Sequence, residues 1–79
     1  MSVARFDNGQ RVWVRRDHRG ERIEIWGTVC RLRRADEGAW INLDERHDAC
    51  PFPADEPRGK HIMAYPEDCS SAEMRLVRP

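Results

Sequence analysis

The sequence predicts an all-β chain of five short strands, and three observations carry that prediction. Apolar and polar residues alternate with a period of two along most of the chain, and no long stretch carries a clean helical stripe. Turn formers punctuate the alternation at Asp7-Asn8-Gly9, Gly20 and Gly38. The length, 79 residues, suits one small domain, so residues 1–79 read as a single unit with a thin core that self-association would thicken.

After the first turn, Arg11-Val12-Trp13-Val14-Arg15 alternates as strand one, with Val12 and Val14 on the inner face and Trp13 on the outer. Asp17 to Glu21 reads as a loop around Gly20. Ile23 to Leu32 is a long second strand, and Gly27 inside it predicts a bulge or sharp bend. Ala35 to Gly38 is a hairpin turn, and Ala39 to Leu43 is strand three, with Ala39, Ile41 and Leu43 inward and Trp40 outward. The next segment, Asp44 to Gly59, is acidic and rich in proline, with Phe52 between Pro51 and Pro53; its Asp44 to Pro57 part reads as a long loop that folds over its own chain or holds a partner. His61 to Tyr65 is strand four. Pro66 to Ala72 suits one tight helical turn with Ser70 and Ser71 as caps, and Met74-Arg75-Leu76-Val77 is the predicted fifth strand. Inward positions shared by these strands predict a core of Val12, Val14, Val29, Ile41, Leu43, Ile62 and Leu76.

This order of features, five short strands with an interrupted second strand and a tight turn before the fifth, resembles an SH3-like barrel, in which closing the sheet hides its edges. Gly9-Gln10-Arg11-Val12 followed by Trp26-Gly27-Thr28-Val29 resembles the first hairpin of Tudor-like and KOW-like domains. A second resemblance covers most of the chain. Phe6 to Val12 is similar to the Phe-x-x-Gly-x-Arg-Val segment of plasmid-type, type II dihydrofolate reductase, Trp26 to Val29 to its Trp-x-Gly-x-Val strand, and Ile62 to Pro66 to its strand ending in Tyr-Pro. That family joins four barrels around a pore, where a Val-Gln-Ile-Tyr strand binds folate and the nicotinamide cofactor. Tyr65 matches the tyrosine and Ile62 the valine, but Met63 stands at the glutamine and Ala64 at the isoleucine. The family's substrate-attracting lysine falls on Val14, or on Arg15 if the alignment slips by one. Loss of the amide removes the polar recognition on which that specificity rests, so the resemblance implies the architecture without the reductase activity.

Charge is balanced overall, with 14 basic and 14 acidic residues, but divided along the chain. Residues 1–34 hold nine Arg against Asp7, Asp17, Glu21 and Glu24, while residues 35–79 hold ten acids against five bases. The division predicts internal ion pairing on a mixed surface. Arg15, Arg16 and Arg19, with Arg33 and Arg34 at other strand ends, are the candidate nucleic-acid contacts, forming one basic rim beside tryptophans able to stack on bases. Met1 to Gln10 contains no apolar run, which predicts a cytoplasmic chain away from membranes with Cys30, Cys50 and Cys69 reduced. His47, Cys50, His61 and Cys69 include only one short ligand spacing, His47-x-x-Cys50, and no Cys-x-x-Cys, so no metal is predicted. No Cys-His order supplies an orienting third group, and neither catalytic residues nor a cofactor are predicted.

The outward aromatics are the remaining signal. Trp13, Trp26 and Trp40, with Phe52 and Tyr65, form the predicted interaction surface, covered by Phe52 or by another subunit. The leading functional reading is a small non-catalytic binding or assembly module, homo-oligomeric and recognising protein or peptide. A nucleic-acid-binding barrel with an arginine rim is the alternative, and a type II dihydrofolate reductase-like enzyme the third.

Overall fold

Val12 and Val14 alternate with Trp13, and Ala39, Ile41 and Leu43 with Trp40 and Asn42, a pattern that buries one face of each strand and leaves the other outward. The computed structural model describes residues 2–71 and is all-β. Its strands are β1 (Arg11–His18), β2 (Glu21–Leu32), β3 (Ala39–Leu43), β4 (His61–Ala64) and β5 (Cys69–Ser71), with a 3₁₀ turn at Pro66–Asp68. They form one antiparallel sheet in the order β4-β3-β2-β1-β5, which is not closed. Among the described residues no helix is long and apolar enough to cross a membrane.

Several elements differ from their sequence prediction. The loop expected at Asp17 to Glu21 is a two-residue hairpin turn: His18 pairs with Glu21, and Arg19 and Gly20 both take positive φ, 50° and 83°. Two such residues in succession match the twist of the flanking strands, and glycine takes the second at no steric cost. Gly27 makes no bulge, since its pairing with Val12 on β1 and Leu43 on β3 is regular. A Cβ there would lie 2.6 Å from Ile41 Cγ2 and 2.9 Å from the Asn42 carbonyl oxygen, so glycine permits a close approach of β3. The register instead shifts between Val29 and Arg31, at Cys30. The helical turn stops at Asp68, because Cys69 to Ser71 pair with β1 as a strand; the predicted strand Met74–Val77 and core residue Leu76 lie outside the described residues.

Val12, Val14, Val29, Ile41, Leu43 and Ile62 are all buried, joined by Ile23, Ala39, Ala64 and Cys69. Each large aliphatic side chain removed from water stabilises the fold by roughly 1.5–3 kcal/mol before its entropy cost. Val3, Phe6 and Cys50, outside the strands, complete the cluster. The N-terminal segment is pinned by Val3 N–H to the Cys69 carbonyl (2.8 Å) and Gly9 N–H to the Val29 carbonyl (2.7 Å). Residues 44–60 contain turns but no helix or strand, and Ala49 packs partly buried against the core.

Candidate functional site

Trp40 leaves β3 on the outer face, with Arg31 of β2 and Met63 of β4 as its register partners. The bulge on β2 shapes the ground beside it. Val29 pairs with Ile41 and Arg31 with Trp40, so Cys30 is the extra residue; it and Arg31 are both exposed. The Cys30 thiol donates to the Trp40 carbonyl at 3.2 Å, and partial burial raises its pKa.

Phe52 arrives from the segment between β3 and β4, its ring 5.4 Å from that of Trp40 and tilted by 45°. The segment is held by one side chain: Arg46 Nη1 donates to the carbonyls of Phe52 (2.8 Å) and Gly59 (2.6 Å). Arg58 lies over the outer ring, its guanidinium carbon 4.0 Å from the Phe52 centroid, and pairs with Glu56 at 3.1 Å. Cys30, Arg31, Trp40, Phe52, Arg58 and His61 thus enclose a pocket of about 270 Å³.

Beside the pocket lies a more open groove of about 770 Å³, which shares Cys30, Arg31 and Trp40 and adds Asn8, Leu32, Arg33, Arg34 and Ala35. Arg33 pairs with Asp36 at 3.5 Å. Asp36 also accepts the Gly38 N–H (2.9 Å) and the Tyr65 hydroxyl (3.0 Å), and these contacts, led by the Gly38 N–H, hold its carboxyl below the usual carboxylate range. Among the described residues no carboxylate lines the pocket or the groove, whereas four arginines do. Such a surface offers flat rings for stacking and planar cationic forks for bidentate contact with anionic oxygens.

The residues singled out in the sequence are distributed differently from the expectation. Trp40 and Phe52 meet, but Trp13 and Trp26 form a separate edge-to-face pair, centroids 5.4 Å apart at 62°, with the Arg11 guanidinium 5.7 Å from the Trp26 centroid. Arg11 in turn makes a bidentate pair with Asp44, both bonds 2.7 Å. Tyr65 anchors Asp36 rather than joining an aromatic surface. The single arginine rim is corrected too. Arg15 faces Glu24 at 3.7 Å, Arg16 donates to the Met63 carbonyl at 2.6 Å, and Arg19 sits in the β1–β2 turn. All twelve residues of β2 lie between that turn and Arg33 and Arg34, which join Arg31 and Trp40 instead. Arg58 carried no sequence signal beyond its place in the loop that holds Phe52.

Among the described residues no three His, Cys, Asp or Glu side chains gather as a metal site. Comparison with protein-family models, curated proteins and solved structures gives no match.

Proposed function

We propose that this chain is a small non-catalytic binding module built on an SH3-like barrel, and that the Trp40–Phe52 pocket with its arginine-lined groove holds a negatively charged, linear partner. The strand order β4-β3-β2-β1-β5, the long β2 and the 3₁₀ turn before β5 support the barrel reading. A further support is the Arg16 side chain, which reaches from β1 to the Met63 carbonyl on β4, a strand three places removed in the sheet.

The observation that carries the binding reading is the composition of the pocket and groove together: two aromatic rings from separate parts of the chain, four arginines and, among the described residues, no carboxylate in the walls. Arg58 and Arg33 already face Glu56 and Asp36, but a partner of neutral apolar surface would desolvate Arg31 and Arg34 without supplying counter-charge, which is costly. An anionic partner satisfies them.

The test is a titration of the ¹⁵N-labelled chain with inorganic polyphosphate at low salt. The expected result is shifts concentrated on Arg31, Arg33, Arg34, Arg58 and the Trp40 indole. Shifts centred on Trp13 and Trp26, or none, would overturn the site.

A further inference from the structure

On the reading that this groove is the binding site, we infer that its occupant is single-stranded nucleic acid, with one base seated in the Trp40–Phe52 pocket and the adjoining phosphates running along Arg31, Arg33 and Arg34.

The pocket and the groove have different chemistry, and a nucleotide chain has the same division. The pocket is small: about 270 Å³ is just under the roughly 300–1,000 Å³ of ordinary small-molecule sites, a size for one planar ring system rather than a folded surface. Its lining includes the rings of Trp40 and Phe52, which pack together at 5.4 Å and 45° as one aromatic platform rather than as a slot, with Arg58 over Phe52 adding a third flat group. Every base has a π-face that such a platform accepts whatever its sequence. The groove beside it is cationic and shares Cys30, Arg31 and Trp40 with the pocket. Guanidinium forks suit phosphate oxygens, and spacing them along one path suits a repeating charge.

An acidic peptide would meet the arginines but offers no flat group for the rings unless an aromatic residue happens to fall in register. A duplex keeps its bases stacked and paired, so the pocket stays empty unless one is extruded at a cost. The strand is the ligand that fills both halves.

The experiment measures fluorescence anisotropy of labelled single strands of DNA and of RNA, about twelve nucleotides long, against the full chain. The comparators are a duplex of equal length, inorganic polyphosphate and an oligoglutamate peptide. Binding of the strands should fall with salt between about 50 and 200 mM with a log–log slope of about −2 to −3, as three or four phosphate contacts give. Trp40→Ala should weaken strand binding roughly ten- to a hundred-fold and polyphosphate binding far less, since polyphosphate has no ring to stack. Should Trp40→Ala disturb the fold by circular dichroism, Trp40→Phe, which retains a smaller platform, is expected to show a lesser loss in the same direction. Arg31→Ala with Arg34→Ala, both at exposed positions, should reduce the slope by about 1 to 1.5. Trp13→Phe should change nothing.

Polyphosphate or oligoglutamate binding at the groove as tightly as the strands, with Trp40 variants indistinguishable from wild type, overturns the nucleic-acid inference while leaving a site for anions in place. Failure of all the polyanions to bind at low salt overturns the inference and the binding module together.

Discussion

Three free cysteines occupy three environments, and their reactivities should separate accordingly. Burial, with the neighbouring Asp68 adding to it, pushes the Cys69 thiol up to about 12, so it stays protonated across any ordinary pH. Cys50 is 5% exposed and sheltered by the same core. Only Cys30 is exposed, although partial burial holds its thiol above the usual value and slows it. Iodoacetamide at about pH 8 is therefore expected to add one carbamidomethyl group to the native chain, on Cys30, and three after denaturation. Equal labelling of Cys69 and Cys30 in the native chain would contradict the burial. The lone tyrosine permits a second residue-scale test. Its hydrogen bond to the Asp36 carboxylate, aided by burial, raises the Tyr65 phenol, so absorbance titration should give a midpoint above the ordinary value near ~10, and Asp36→Asn should bring it down. The signs define a window. The raised phenol stabilises the fold below its ordinary value and loses that contribution as pH rises through the folded value. The depressed Asp36 contributes above the ordinary carboxylate value near ~4 and is lost as pH falls through its lower folded value. The clamp between the β2–β3 loop and Tyr65 thus holds from acid to alkaline extremes and loosens at both.

At the scale of elements, β3 approaches β2 closely at Gly27. Gly27→Ala would drive a methyl group against Ile41 Cγ2 and the Asn42 carbonyl oxygen, and the second of these is backbone that cannot rotate away. A cost of about 1–3 kcal/mol is expected, against about 2–5 kcal/mol for Ile41→Ala, which leaves a cavity in the core. The two changes share a contact, so the double variant should lose less than the sum of the singles by chemical denaturation. Strict additivity would mean that the approach of β3 is not what requires glycine. This junction also shows what was legible in the sequence. Strand β3 was readable to its ends, because Ala39, Ile41 and Leu43 keep the period without interruption. For β1 the alternation predicts an end three residues short, since Arg16 breaks the apolar pattern although the backbone stays in the ladder through His18. The pattern points to a bulge at Gly27, because a glycine advertises conformational freedom, whereas the shift itself, at Cys30, has no distinctive residue. The site suffered by the same error. Trp40 as an outward ring and Phe52 as a loop anchor were visible, but their union with Arg31 and Arg58 depends on the bulge and on the Arg46 clamp, which no local pattern encodes.

For the whole molecule, the question is what draws together strands that the sheet order keeps apart. The charge division along the chain answers only part of it. Arg11–Asp44 and Arg33–Asp36 link the basic and acidic portions, but Arg15–Glu24, Arg22–Asp17 and Arg58–Glu56 lie within one portion, and pairs as exposed as these are worth little. The longer-range tie is Arg16. Following Val12 and Val14 on the inner period of β1, it is half-buried, and its guanidinium donates at 2.6 Å to the carbonyl of Met63 on β4, the strand at one edge of the sheet. A charged donor on an otherwise bare edge carbonyl both satisfies that oxygen and blocks another chain from pairing there. Arg16→Met keeps most of the apolar stem and removes the donor. The expected loss is about 1.5–3 kcal/mol, the usual range for a hydrogen bond to a charged group, read as a lower denaturation midpoint. Hydrogen exchange locates the effect: amides of His61 to Ala64 should exchange faster, while those of Trp13 and Trp26, inside the β1–β2 ladder, keep their protection. Since Trp40 sits on β3 beside β4, and His61 of β4 lines the pocket, a loosened β4 should also weaken binding there although Arg16 lines neither the pocket nor the groove. An unchanged midpoint with unchanged exchange on β4 would show that β1 and β4 hold together without Arg16.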